Sequence, residues 1–84
     1  MNKHHLDLLK KRIDPGSFYL FTRWLSEIET IKTSRKDFLR KMNDLNEIYE
    51  RCYGFILGIK ASGIIGEETK NEIVSQLIEL STMY

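Results

Sequence analysis

Apolar residues recur along this chain in steps of three and four, the spacing of amphipathic helices rather than the alternation of strands. Leu6, Leu9 and Ile13 share one face of a first helix predicted over about His4–Ile13, which Asp14, Pro15, Gly16 and Ser17 interrupt. Two starts are open for the second helix. Either Asp14 caps a helix whose first residue is Pro15, or Pro15 and Gly16 form a turn and Ser17 is the cap. The helix then runs to about Lys32, with Phe18, Phe21, Leu25 and Ile28 facing inward and Trp24 and Ile31 widening the stripe.

Ser34 followed by Asp37 approximates a capping box and predicts that a third helix starts there. Along it Phe38, Met42, Leu45, Tyr49, Cys52, Ile56 and Ile59 step alternately by four and three, a heptad seam over three repeats. Gly63 is the expected left-handed stop, and Ile64 and Ile65 pack the corner. Gly66 with Glu67 and Glu68 opens a fourth helix with negative charge at its positive end. Ile73, Leu77, Leu80 and Tyr84 make the stripe of that helix, with Val74 and Ile78 alongside.

The pattern predicts an all-α fold with one domain over residues 1–84. It is a small helical bundle of three to four helices, in which the long third helix forms an antiparallel hairpin with the fourth. Eighty-four residues is below the size at which chains usually divide. A helix from Arg35 to Ala61 would be about 40 Å long, against a diameter of roughly 30 Å for a domain of this size. It must bend, break or protrude, and a protruding apolar seam invites a second copy of the chain.

Two faces carry more apolar surface than the seams use. On the second helix Tyr19, Leu20 and Arg23 point away from the inferred core, and Phe18, Tyr19, Phe21 and Trp24 crowd into seven residues. Tyr and Arg suit binding surfaces because each offers a large contact area with a polar tip. The first helix covering these aromatics is the alternative. On the third helix a charged ridge of Arg40, Asp44, Glu47 and Arg51 continues as Gly54, Gly58 and Ala61, with Leu57 beside it. Its last turns are therefore apolar or small all round, which implies enclosure. Either the first helix packs across Gly54 and Gly58, or a partner does. Tyr19, Leu20, Arg23, Gly54, Leu57 and Gly58 are the candidate partner-binding residues.

A hydrophobic fraction of 42% with 30% charged residues excludes a disordered tail and a membrane span. The net charge is only +1, but residues 1–42 hold ten Lys or Arg against five Asp or Glu, and residues 43–84 hold three against seven. That layout either lets the halves attract one another or leaves one end basic. Lys32, Arg35, Lys36, Arg40 and Lys41 cluster near the start of the third helix, and a helix-turn-helix with backbone phosphate contacts is the alternative function they suggest. Asp37 and Asp44 lie among them, which weakens nonspecific phosphate affinity.

Common catalytic sets are not assembled. His4 and His5 stand next to one another near a terminus prone to fray. Cys52 falls mid-seam, as a small buried hydrophobe does, and as the single cysteine it fits a reducing compartment. A zinc site needs about four spaced ligands, so no metal or cofactor is expected. The run Leu8, Lys10, Lys11, Arg12, Ile13 and Asp14 faintly resembles the opening of the helical chorismate mutases, but Pro15 and Gly16 break the helix that those enzymes keep long, and no family is assigned. The early charges leave no apolar core for a secretory signal, so the expected location is cytoplasmic. The expectation is a non-enzymatic protein that binds another protein stoichiometrically, as an inhibitor, immunity factor, adaptor or small regulatory subunit. A single Ala and ten Ile fit an AT-rich bacterial or mobile-element origin.

Overall fold

Each helix starts where a side chain or a small residue can meet its first free amides. The computed structural model describes residues 1–82. In α1 (Lys3–Arg12) the Asn2 carboxamide accepts from the His4 amide at 2.8 Å. In α2 (Pro15–Lys32) Asp14 is the cap, accepting from the Ser17 amide at 2.9 Å and its hydroxyl at 2.7 Å, with Pro15 in the first turn. α3 (Phe38–Ala61) is capped by Asp37, which accepts from the Arg40 amide at 3.0 Å. α4 (Glu67–Ser81) begins after Gly66 without a side-chain cap, and Glu67 and Glu68 supply charge in its first turn.

The expected start of α3 at Ser34 is corrected by these bonds. The Ser34 hydroxyl donates backwards to the Ile31 carbonyl at 2.8 Å and closes the end of α2, so the next capping side chain, Asp37, begins the new helix. At the other end of α3, Gly63 has φ +80°, and two bonds close the helix: Ile64 N–H to the Ile59 carbonyl and Gly63 N–H to the Lys60 carbonyl. Paired bonds of this kind are the glycine-terminated helix stop anticipated at this position.

α3 lies between α2 and α4, and α1 packs more lightly against α2. Leu9, Phe21, Ile28, Cys52, Ile56, Ile73 and Leu77 are fully buried, with Leu45, Ile48, Ile59 and Ile65 nearly so. Each large apolar side chain in that set contributes about 1.5–3 kcal/mol by leaving water. Phe55 stacks on Phe21 at 5.3 Å between ring centres and meets the edge of Trp24 at 5.8 Å, joining α2 to α3.

The seam does not stay buried to its start. The Lys60–Glu67 ion pair fixes the α3–α4 register at the hairpin, and α4 is 15 residues long against 24 for α3. Its last turn therefore stands opposite Leu45. On the other side, the Lys36–Asp44 ion pair marks where α2 has run out. Phe38 and Met42, expected in the core, project past both neighbours and are 58% and 48% exposed. Ile78, expected beside the α4 stripe, is 51% exposed, and Tyr84 lies outside the described residues. The principal extents of 39 × 23 × 19 Å record the overhang.

Folding also redistributes the charge. Arg12 donates to the Ile64 carbonyl at 2.9 Å, which brings the basic last turn of α1 to the end of the molecule that carries Glu67 and Glu68. The basic end of α1 and the acidic start of α4 thus share one end, while Lys32 lies at the other, against the Leu80 carbonyl.

Candidate functional site

The α2–α3 layer exposes the six expected residues on two neighbouring helices. Tyr19 is 67% and Leu20 41% exposed on α2, and Arg23 reaches along the same helix to Glu27 at 3.8 Å. Gly54, Leu57 and Gly58 are exposed on α3. The contacts of Phe21 and Trp24 with Phe55 set these groups at one level of the layer. The expectation that α1 packs across the glycines is corrected: among the described residues no neighbour lies within 4 Å of where a Cβ would stand on Gly54 or Gly58. Helix α1 is held elsewhere. The Gln76 carboxamide accepts from the Asn2 amide at 2.9 Å and, at 3.0 Å, meets His5 Nδ1, while His5 Nε2 meets the Glu72 carboxylate at 2.9 Å.

That network fixes a tautomer. With its oxygen accepting from Asn2, the Gln76 amide can only donate to Nδ1, so the His5 proton sits on Nε2 and points at Glu72. His5 is 5% exposed, not frayed as its place near the terminus suggested. A histidine four residues before Leu9 was the signal for it, since Leu9 and His5 lie on the same helix face.

A second exposed region opens where α3 overhangs. Phe38, Met42, Leu45, Asn46 and Tyr49 of α3, with Ile78, Ser81 and Thr82 of α4, line a groove of about 390 Å³. Leu39 beside it is 72% exposed. Tyr49 and Tyr53 stack at 5.9 Å, and burial, with the neighbouring Tyr53, pushes the Tyr49 phenol up. Ser81 Oγ is buried and has no hydrogen-bond partner among the described residues. Leu39 and Tyr53 were visible in sequence as apolar residues off the seam, but assigning the whole seam to the core hid the groove.

The basic cluster is partly spent on the fold. Lys32 Nζ donates to the Leu80 carbonyl and Lys41 Nζ to the Lys32 carbonyl, both at 3.1 Å, and Lys36 pairs with Asp44 at 2.9 Å. Of the five, Arg35 and Arg40 have no side-chain partner among the described residues.

Chemical groups elsewhere have structural partners. Cys52 is fully buried, and burial, with a smaller contribution from Glu27, pushes its thiol up to about 11. Lys60 and Lys70 hold the Glu67 carboxyl below its ordinary range. Among the described residues no three His, Cys, Asp or Glu side chains gather as metal ligands, and no helix is long and apolar enough to cross a membrane. The chain matches no family model, no curated protein and no solved structure.

Proposed function

We propose that the protein acts by stoichiometric binding to another protein through the outer face of the α2–α3 layer, as an inhibitor, immunity factor, adaptor or regulatory subunit in a reducing cytoplasm. One observation carries this reading. Gly54 and Gly58 have open space above them and are accompanied by exposed Tyr19, Leu20 and Leu57 at the same level. A helix or loop laid along the glycines approaches the α3 backbone closely, while Tyr19 and Leu20 supply apolar contact and Arg23 a polar rim. This is a binding surface made of shape and apolar area, and it calls for no reacting group.

The test is a pull-down with the tagged chain from lysate of the source organism, with and without nuclease, alongside a Leu20→Lys variant. A stoichiometric protein band that survives nuclease and disappears with Leu20→Lys is the expected result. Recovery of nucleic acid alone, lost on nuclease treatment and on Arg35→Ala with Arg40→Ala, overturns it in favour of phosphate binding.

A further inference from the structure

His5 is the one buried polar or charged residue among those described, and both its ring nitrogens face α4. Nε2 donates to the Glu72 carboxylate at 2.9 Å, and Nδ1 accepts from the Gln76 amide group at 3.0 Å. Gln76 is committed at its other atom as well, since Oε1 accepts from the Asn2 backbone amide at 2.9 Å. The bonds therefore run donor to acceptor in one direction, from Asn2 through Gln76 and His5 to Glu72. The middle link holds only while Nδ1 carries no proton.

A proton taken from solvent onto Nδ1 reverses that link. An imidazolium donates at both nitrogens, so Nδ1–H then points at the Gln76 amide group, which is a donor too. Turning the carboxamide over relieves the conflict by bringing Oε1 to Nδ1–H. The same turn carries the amide group to the Asn2 N–H, where two donors face each other and the bond is lost. What His5 gains is a charge-assisted bond to Glu72, stronger than the neutral one it replaces.

The charges around the ring favour this exchange. On α4 the half-exposed Glu72 is the direct partner, and Glu67 and Glu68 line the same hollow; Glu67 is already paired with Lys60 of α3 and with Lys70. On α1 the His4 ring stands 5.7 Å away, tilted. Beyond Gln76, Met1 with its amino group, Lys32 of α2 and Glu79 line the neighbouring hollow. From this geometry we infer that His5 and Gln76 form a proton-operated latch: a proton on Nδ1 turns the Gln76 carboxamide over and releases Asn2 from α4. Asn2 also caps α1, its side chain accepting from the His4 amide at 2.8 Å, so the release reaches the first turn of that helix. Met1, which packs against the core, loses its neighbour's tie to α4 in the same step. The device is held when His5 is neutral and open when it is charged.

Nitrogen-15 NMR of the intact chain tests the latch, titrated from about pH 8 to about pH 5, the interval in which histidine side chains exchange protons. At the upper end the long-range ring spectrum of His5 should show the proton on Nε2 and a bare Nδ1. As Nδ1 gains its proton, the Gln76 side-chain amide signals should move with the same midpoint. Exchange of the Asn2 amide with water, corrected for the direct effect of pH, should quicken about five- to tenfold, the loss of one hydrogen bond. The exposed His4 ring is told apart by its disappearance in His4→Gln. Gln76→Glu separates the latch from a general loosening in acid, because a carboxylate accepts from Nδ1–H and from the Asn2 amide at once. That variant should raise the proton affinity of His5 about tenfold or more and keep Asn2 protected throughout. A bare Nε2 at the upper end, a His5 ring that takes up no proton across the interval, or an Asn2 amide indifferent to the His5 midpoint each overturns the latch. So does release of Asn2 in Gln76→Glu. None of these results touches the α2–α3 face, whose reading stands or falls on Leu20→Lys in the pull-down.

Discussion

Replacing Gly58 by Ala is expected to stabilise the protein, and the sign of the effect decides what the glycine is for. Gly58 lies in the last turns of a 24-residue helix with ordinary helical φ, since Gly63 is the only residue with positive φ among those described. Alanine there is about 0.8–1.0 kcal/mol more favourable than glycine, because glycine gives up more backbone freedom on folding. A packing cost would offset that gain only if the new methyl met a neighbour, and none lies within 4 Å. The same holds at Gly54, so the double variant should gain about 2 kcal/mol. For a domain of this size each kcal/mol moves the melting temperature by about 4–8 °C. Urea denaturation followed by circular dichroism measures the change. A loss of stability in Gly58→Ala would show that a segment of the chain packs over this ridge, and the open α2–α3 face would have to be abandoned. A gain in stability accompanied by weaker capture of the partner would show that the glycines serve binding at the expense of the fold.

Three further outcomes follow from the core and its ties. Phe21→Ala should cost about 3–5 kcal/mol, a large part of the roughly 4–12 kcal/mol that holds a chain of this length together; a thermal melt shifted by only a few degrees would contradict the central place given to the Phe21–Phe55 stack. Cys52 gives a pH dependence: its folded value, about 11, lies above the ordinary 9.0, so the folded state keeps its proton longer than the unfolded state does. Stability is therefore full below about pH 9 and falls by on the order of 2 kcal/mol as pH rises towards 11; between pH 9 and 10, below the ordinary value of the raised Tyr49 phenol, Cys52→Ala should remove the slope from the urea titration, and its persistence there would refute the assignment. Gln76→Ala strips partners from His5 Nδ1 and the Asn2 amide, and should cost about 1–2 kcal/mol and speed hydrogen exchange in α1; unchanged exchange there would mean that Leu9 with the His5–Glu72 and Arg12–Ile64 bonds holds the helix without Gln76.

Most of the bundle was legible because its helices announce themselves at both ends. Gly63 after Ala61 and the glutamates after Gly66 act locally, within a few residues, so a linear reading finds them; Asp14 before Pro15 was one of two caps left open, and the bond from the Ser17 amide decided for it. The start of α3 was misread for a related reason: Ser34 and Asp37 both cap well, and the choice went to Asp37 because the end of α2 recruited the Ser34 hydroxyl. The faces were less legible. Periodicity says which residues share a side of a helix, and Phe38 and Met42 do share the side of Leu45 and Cys52. Whether that side is covered depends on how far α4 and α2 reach, which the α3 pattern does not contain. His5 was missed because its partners, Glu72 and Gln76, lie some seventy positions away.

The overhang and the α2–α3 face are separable on α3, and this decides which of them carries the proposed binding. Successive residues of a helix turn by about 100°, which sets the line of Gly54 and Gly58 roughly 100° around α3 from the line of Leu39 and Tyr53. Position 39 also lies on the far half of α3 from Gly54 and Gly58. Leu39→Lys should therefore leave capture of a partner in the pull-down unchanged where Leu20→Lys abolishes it. Loss of the captured band with Leu39→Lys, at unchanged helical circular dichroism, would move the binding surface from the α2–α3 layer to the overhang.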